Sequence, residues 1–363
     1  TAVTHLNDEA ASYSDGNGGT YTPRNLISGY KGNVIAAYAL ADSLNAATIQ
    51  LAQMIGFDNV ARLARASGIT SARGTPSVAI GTYSATPVDM AGAYTVFADG
   101  GVHLTPWMLA SVRNINGDIV ADYSPEAKQV MDPRAAFLTQ SLMEGVINYG
   151  TAAGVRARGF TAPAAGKTGT SHDAWFAGYT SNLICIVWVG NDDYTALPNA
   201  LQGARSAAPI WAEFMKRAIK LPQYSDVKSF SPPDGITIAN IDRESGLLAD
   251  PTCTTKTMNV AFLDGTAPTG SCSQMNENPQ NFFQKIFGLG GQPTKVSPYN
   301  PSAPVNAGTS AQPANPAGSG NGNAPQPTAQ AEQQKKKKNI FQKIFGGGGD
   351  KNNKQPQPNQ PPQ

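Results

Sequence analysis

Three short runs follow one another in the middle of this chain, and they restrict its fold more than any other feature. The first is Ala165-Gly166-Lys167-Thr168-Gly169-Thr170-Ser171, small and Gly-bounded, with one cation followed by hydroxyls. Ala174-Trp175-Phe176-Ala177-Gly178-Tyr179 comes next, and Leu183-Ile184-Cys185-Ile186-Val187-Trp188-Val189 after it. The second and third are rich in β-branched and aromatic residues and short enough to be paired strands. A Lys at the inner end of a strand, with Thr hydroxyls and a Gly beside it, can hold a peptide main chain together with its terminal carboxylate. The lysine supplies field, the hydroxyls supply hydrogen bonds, and the glycine lets a ligand backbone come close.

A second constellation stands far upstream. Ser43-Leu44-Asn45 fits an S-x-N pattern between two apolar helical segments. Val34, Ile35, Tyr38 and Ala41 precede it at helical spacing; Ile49, Leu51, Ala52, Gln53 and Ile55 follow, and Gly56 offers a C-terminal stop. A hydroxyl and an amide at the tip of a helix pair can face a cleft and relay a proton to or from a nucleophile. The same residues can instead cap a helix over 46–55, the commoner job for Ser and Asn. Beside K-T-G-T the relay is favoured.

K-T-G is one of three motifs of the serine acyl-transferases that bind penicillin. With its companions the chain resembles the transpeptidase part of a class A penicillin-binding protein, the bifunctional enzymes that build bacterial cell-wall peptidoglycan. The similarity spreads over residues from about 20 to 275. It takes in Ser43-Leu44-Asn45, Ala85-Thr86-Pro87-Val88-Asp89-Met90-Ala91-Gly92-Ala93-Tyr94 and Phe97-Ala98-Asp99-Gly100-Gly101. Gly150-Thr151-Ala152, Gly166-Lys167-Thr168-Gly169-Thr170 and Asp173-Ala174-Trp175-Phe176-Ala177-Gly178-Tyr179 continue it in family order. Val189-Gly190-Asn191-Asp192-Asp193 and Ala207-Ala208-Pro209-Ile210-Trp211 complete the set.

One element of the family is missing. Its nucleophile is a serine in S-x-x-K, upstream of S-x-N at the start of a buried helix. Ser28-Gly29-Tyr30-Lys31 has the letters, but lies in the Gly- and Asn-rich stretch that leads into S-x-N; Ser225-Asp226-Val227-Lys228 lies beyond K-T-G in a Pro-flanked segment. A loop serine lacks a positioned base and oxyanion donors, so both are read as decoys. The chain begins at Thr1 rather than Met, with no signal peptide, membrane-spanning run or glycosyltransferase half, and is expected to be a fragment starting after the nucleophile.

The resemblance implies an α/β chain of the α+β type, a penicillin-binding, serine-β-lactamase-like transpeptidase fold whose mostly antiparallel sheet is covered by helices, truncated at its N-terminus. Residues 1–220 form the transpeptidase domain, 221–277 a small β-rich extension and 278–363 a disordered tail. The implied activity is D,D-transpeptidation by serine acyl transfer. Ser43, Asn45 and Lys167 are the implied catalytic residues and Thr168, Gly169 and Thr170 the substrate-binding ones. No cofactor, metal or nucleic acid is implied. The expected partners are peptidoglycan stem peptides and β-lactam antibiotics, with a membrane anchor only in the absent N-terminal part, and the expected place is the cell envelope at the outer face of the inner membrane. Two rivals remain: a D,D-carboxypeptidase or β-lactamase that passes the acyl group to water, and a non-catalytic peptidoglycan-binding protein.

Composition agrees with an extracytoplasmic enzyme. Charged residues are only 14%, with 37 Gly and 27 Pro, which suits a loop-rich protein better than a nucleic-acid binder. Residues 278–363 carry nine Lys against Glu332 and Asp350, a balance of +7; since the whole is +2, the body is −5. Cys185 falls inside an apolar run, where a buried inert thiol is expected. Cys253 and Cys272 are either unrelated thiols or, in an oxidising envelope, the ends of a closed loop of about twenty residues, contributing roughly 3 kcal/mol in the chain-entropy model. His5, His103 and His172 show no metal-ligand spacing; His172 either lines the cleft rim or sits on an exposed turn.

Along the chain, 1–33 reads as Gly-, Ser- and Asn-rich connection, and helices are predicted over about 34–42, 46–55 and 58–67, the last opened by Asp58 and closed by Gly68. Thr86-Pro87 is an N-cap with Pro at the first helical position, and Gly100-Gly101 ends that helix. Strands over 107–113 and 118–123 flank Asn116-Gly117, a type I′ hairpin signal. Asp132-Pro133 starts a helix running to about Asn148, another covers about 208–219, and 236–241 begins a β extension. Within the tail, Phe283-Gln284-Lys285-Ile286-Phe287-Gly288 recurs as Phe341-Gln342-Lys343-Ile344-Phe345-Gly346, either an island that docks a partner of cell-wall synthesis or an anionic surface, or the product of duplication.

Overall fold

The computed structural model describes residues 1–14, 19–26, 29–198, 201–253 and 255–273. Ser28, the tail over 278–363 and both copies of the repeat lie outside the described residues.

The N-terminal third is more ordered than its composition suggests. Strand β1 (His5–Asp8) pairs antiparallel with β4 (Gly32–Ile35), and the short β2 (Tyr13–Ser14) pairs with β3 (Thr20–Tyr21). Residues 1–33 are therefore not simple connection. Asp8, fully buried, accepts from the Asn25 side chain and from the Lys31 backbone N–H at 2.8 Å, so a polar residue staples the two arms together. The same ladder moves the first helix. Val34 and Ile35, β-branched, are strand, and α1 is only Ala36–Ala41. Helix α2 (Asn45–Ile55) and α3 (Phe57–Ala66) follow closely where predicted, except that Gly56 is the N-cap of α3 and Asp58 sits inside its first turn.

Helix α4 (Pro87–Ala98) opens with a complete capping box: Thr86 Oγ1 accepts from the Asp89 N–H and Asp89 accepts from the Thr86 N–H. Two small ribbons come next, β5 (Val102–Leu104) with β8 (Ala127–Gln129), which the sequence did not signal, and β6 (Ser111–Arg113) with β7 (Ile119–Asp122). The turn between β6 and β7 is not type I′. Only Gly117 of the Asn-Gly pair has positive φ, the Gly117 N–H donates to the Asn114 carbonyl, and Asn114 Oδ1 accepts from the N–H groups of Asn116 and Asp118. The local side chain of Asn114 thus selected a different turn, with residues 107–110 outside the strand.

The centre of the molecule is a three-stranded antiparallel sheet of β9 (Ala165–Thr170), β10 (Ala174–Tyr179) and β11 (Ile184–Val189), with β10 in the middle. Helices α5 (Pro133–Asn148), α6 (Gly154–Ala157) and α7 (Ala207–Ala218) pack around it. On β10 the alternation of side chains sends Phe176 to Trp211 of α7 and Tyr179 to Tyr94 of α4, so both faces are covered. That double cover explains why β10 reads as a continuous apolar run. The Trp211 indole N–H donates to the carbonyls of Gly178 and Cys185 and so bolts α7 across two strands. Finally β12 (Ile236–Asp242) and β13 (Thr257–Leu263) form a hairpin whose Ile241, Met258, Val260 and Phe262 bury themselves against Ile35 and Ala37. Every strand ladder among the described residues is antiparallel. The α+β expectation, a mostly antiparallel sheet covered by helices, describes the fold.

Candidate active site

Lys167 occupies the middle of β9, one of the two edge strands, opposite Ala177 of β10. Its Nζ donates to Ser43 Oγ at 2.8 Å and to the Thr168 carbonyl at 3.1 Å, across 124 residues of sequence in the first case. The side chain keeps some accessible surface, yet protein encloses the ammonium on almost every side, and this desolvation pulls its pKa down to about 8. Among the described residues no carboxylate lies within ion-pair distance of Lys167.

Ser43 is presented by a turn of unusual composition. The Leu44 N–H donates to the Ala39 carbonyl and the Ser43 N–H to the Leu40 carbonyl, the paired bonds of a Schellman motif closing α1. The left-handed position of that motif normally holds Gly; here Ser43 takes it with φ 56°. A Cβ in that conformation costs on the order of 1 kcal/mol or more. Leu44, fully buried beside Ala39 and Ala47, supplies the apolar contact that fixes the turn.

The rest of β9 is tied to neighbouring loops. Thr168 Oγ1 lies 2.7 Å from Thr151 Oγ1, and the Thr151 N–H donates to the Ala41 carbonyl, so the Gly150-Thr151 loop joins β9 to the end of α1. Thr170 Oγ1 accepts from the Gly203 N–H at 3.0 Å. Gly203 has no room for a side chain: a Cβ there would stand 2.3 Å from the Gly169 carbonyl oxygen and 2.6 Å from that of Trp175. The β9–β10 turn is pinned by Asp173, which accepts from Ser171 Oγ and from both indoles, Trp175 and Trp188. Burial pushes the Asp173 pKa up, but these donors outweigh it and hold the carboxyl below its ordinary range. The result is an enclosed ammonium and a hydroxyl in contact, on the edge of a sheet, flanked by two threonines.

Comparison with known proteins decides the family. A family pattern described as penicillin binding protein transpeptidase domain matches residues 4–216, and penicillin-binding protein 1A, C-terminal domain, matches 232–277. The chain belongs to the penicillin-binding protein transpeptidase family. Among curated relatives it is 33% identical over 267 residues to penicillin-binding protein 1A of Aquifex aeolicus, covering 73% of this chain and 36% of that protein. It is 33% identical to penicillin-binding protein 2D of Bacillus subtilis, covering 75% and 40% respectively. The chain thus spans well under half the length of these relatives. The crystal structure of penicillin-binding protein 1A from Haemophilus influenzae superposes with TM-score 0.66 at 26% identity, covering 75% of this chain and 46% of that one.

The transpeptidase fold brings some of the sequence-derived site residues together and leaves others apart. Ser43, Lys167 and Thr168 converge. Asn45 opens α2, but its Nδ2 donates to the Arg24 carbonyl at 2.7 Å and its N–H to Asn25 Oδ1, so the described hydrogen bonds direct it to the 24–25 loop rather than to Lys167. Neither Ser43 nor Asn45 is a helix cap, because Leu44 holds the N-cap position with no side-chain bond. Ser225 donates to the Pro222 carbonyl beside the loop that holds Asn182, at the opposite end of β10 from Thr170. His172 is exposed and stacks on Tyr194, 4.9 Å between centroids. Cys185 is half-buried rather than buried, and burial raises its thiol to about 11. Cys253 and Cys272 are bridged, with 5.7 Å between Cα atoms. Sequence reasoning assigned no role to Thr151, Gly203, Asp42 or Arg243. Thr151 stood inside a matched segment, whereas the other three carry no short-range signal.

Proposed function

We propose that this chain carries the proton-relay and carboxylate-binding half of a peptidoglycan D,D-transpeptidase of the cell envelope, acting at the outer face of the inner membrane on stem peptides and blocked by β-lactams. The observation that supports it most is the enclosed Lys167 ammonium held on the Ser43 hydroxyl, with no carboxylate at ion-pair distance among the described residues. Such a cation gains most from an anionic ligand, and a peptide ending in a free carboxylate supplies one. The attacking serine belongs to an S-x-x-K element outside these 363 residues. Its Oγ attacks the carbonyl between two terminal D-alanines, and the last alanine leaves as an amine that takes its proton through Ser43. Lys167 keeps that hydroxyl in a positive field, and Thr168 and Thr170 hold the substrate carboxylate while Gly169 lets its backbone approach. The Thr170 N–H supplies half of the oxyanion hole, worth about 3 kcal/mol of barrier. Asn45 hydrogen-bonds the substrate backbone after release from Arg24. A second amine then attacks the ester and regenerates the serine with a cross-link formed.

In this reading the parent also carries a glycosyltransferase half and its membrane anchor; among the described residues no helix is long and apolar enough to cross a membrane. The domain division at 220 and 277 and a tail that docks cell-wall synthesis partners through its repeats belong to the same proposal. Labelling with fluorescent penicillin tests it. The full-length form should be acylated at its S-x-x-K serine, the 363-residue chain alone should not, and Lys167→Ala should remove most of the labelling. Stable labelling of the short chain at Ser28 would overturn the assignment of the nucleophile, and a full-length form that never labels would overturn the activity.

A further inference from the structure

The residue before Ser43 is held from a part of the chain that no catalytic motif touches. Asp42 caps α1, and its Oδ1 accepts from Arg243 Nη2 at 3.2 Å across 201 residues. The same guanidinium lies 3.9 Å from the centre of the Tyr38 ring, one helical turn before Asp42, so Arg243 grips α1 by a charge and by a face. Both partners of the ion pair are largely shielded, with side chains 18% and 21% exposed. Arg243 is itself anchored: it follows β12, its N–H donates to the Lys256 carbonyl, and the turn after it is closed by Asp242, which accepts from the Ser245 N–H and hydroxyl. Gly246 of that turn presses on Ile35 and Val3 so closely that an added Cβ would sit 3.0 Å from Ile35. The β12–β13 hairpin and the turn after Arg243 are therefore seated on the base of α1 with one cation reaching the tip.

We propose that Arg243 is a positioning residue for Ser43: by fixing Asp42 from the C-terminal unit it holds the left-handed turn with the Ser43 hydroxyl at the Lys167 ammonium. The physical need is on the page. A non-glycine residue in the left-handed position relaxes unless its surroundings over-determine it. The bonds inside α1 constrain the backbone of the turn but not its angle to β9. Packing of the C-terminal hairpin on Ile35 and Ala37 seats the start of α1, and among the described residues three long-range polar contacts hold its end: Thr151 on Ala41, Lys167 on Ser43 and Arg243 on Asp42. Of these three polar contacts the last alone comes from beyond the 4–216 transpeptidase match, which gives the C-terminal unit a part in catalysis rather than a merely adjacent seat.

This assignment rests on the transpeptidase reading, and a double-mutant cycle separates the two. In the full-length form carrying the S-x-x-K element, penicillin acylation is followed by stopped mixing to split the acylation step from initial binding, for Arg243→Ala, Ser43→Ala and the pair. Arg243→Ala should slow the acylation step roughly tenfold with binding little changed, and less than about twofold further in the Ser43→Ala background, because residues acting through one another are non-additive. Arg243→Lys, which keeps the charge but not the planar stack, should recover part of the rate. Losses that multiply would show a structural latch without a path to Ser43 and overturn the assignment. Should Arg243→Ala fail to fold, Asp42→Asn carries the same cycle with the same two outcomes. A wild type that penicillin does not acylate overturns the transpeptidase reading and Arg243 with it; an acylated wild type with multiplying losses overturns Arg243 alone.

Discussion

At Gly117 and at Ser43 the backbone takes the same left-handed conformation, φ 86° and 56°, yet the two turns are made in opposite ways. The Gly117 turn is local. Asn114 accepts three hydrogen bonds from the next four residues, through its own carbonyl and side chain, and the left-handed place goes to the residue with no Cβ. The Ser43 turn keeps a residue that the conformation disfavours, and contacts from residues 151, 167 and 243 hold it. Where a turn only reverses the chain, the least strained residue suffices. Where it must present a hydroxyl, strain is accepted and tertiary structure compensates.

The largest effect should follow from removing the partner that makes the strain useful. Lys167→Met is expected to reduce penicillin acylation of the full-length form by about a thousandfold, while raising stability. The sign follows from the pKa. Lys167 titrates at about 8 when folded, below its ordinary 10.5, so the folded state is penalised wherever the lysine is charged. The penalty is complete below pH 8 and is relieved as pH rises to about 10.5. Unfolding free energy of the wild type should therefore climb across that window, and Met should gain about 1–3 kcal/mol at neutral pH and lose that advantage above it. Denaturant melts at pH 7 and pH 10 decide this; a methionine variant less stable at pH 7 would mean that the ammonium is well compensated.

A smaller effect separates strain from chemistry. Ser43→Gly should cut acylation about a hundredfold, since the proposed mechanism relays the leaving group's proton through that hydroxyl. Its thermal unfolding should nevertheless stay close to wild type, because relief of about 1–2 kcal/mol of left-handed strain offsets the lost bond to Lys167 and the extra freedom of Gly when unfolded. Ser43→Ala keeps the strain, loses the bond to Lys167 and should melt below both. If Ala and Gly melt alike, the turn is not strained.

The smallest effect belongs to the other turn. Gly117→Ala should cost about 1 kcal/mol by forcing a Cβ into the same conformation, and leave acylation unchanged. A change in acylation from this surface ribbon would break the contrast, because it would tie the β6–β7 turn to the site.

Much of this was legible from residue order. Local interactions at caps and turns wrote the Thr86–Asp89 box, the Asp132 cap of α5 and the three central strands into the sequence, since each depends on residues within a few positions of one another. Ser43 and Lys167 were also named in advance, as motif residues. Their neighbours were not. The β1–β4 ladder depended on a buried aspartate finding Asn25 and Lys31, and the turn at Asn114 on a side chain outcompeting the Asn-Gly signal. The sequence by itself determined helices α2 to α5 and α7, the central strands and which residues could carry charge and hydroxyl to a site. Only the tertiary structure decided that Ser43 would stand 2.8 Å from Lys167, that the ammonium would be enclosed, and that Arg243 would reach Asp42. Periodicity and capping act within a turn or two of backbone, whereas desolvation and long-range pairing exist only once distant segments have packed.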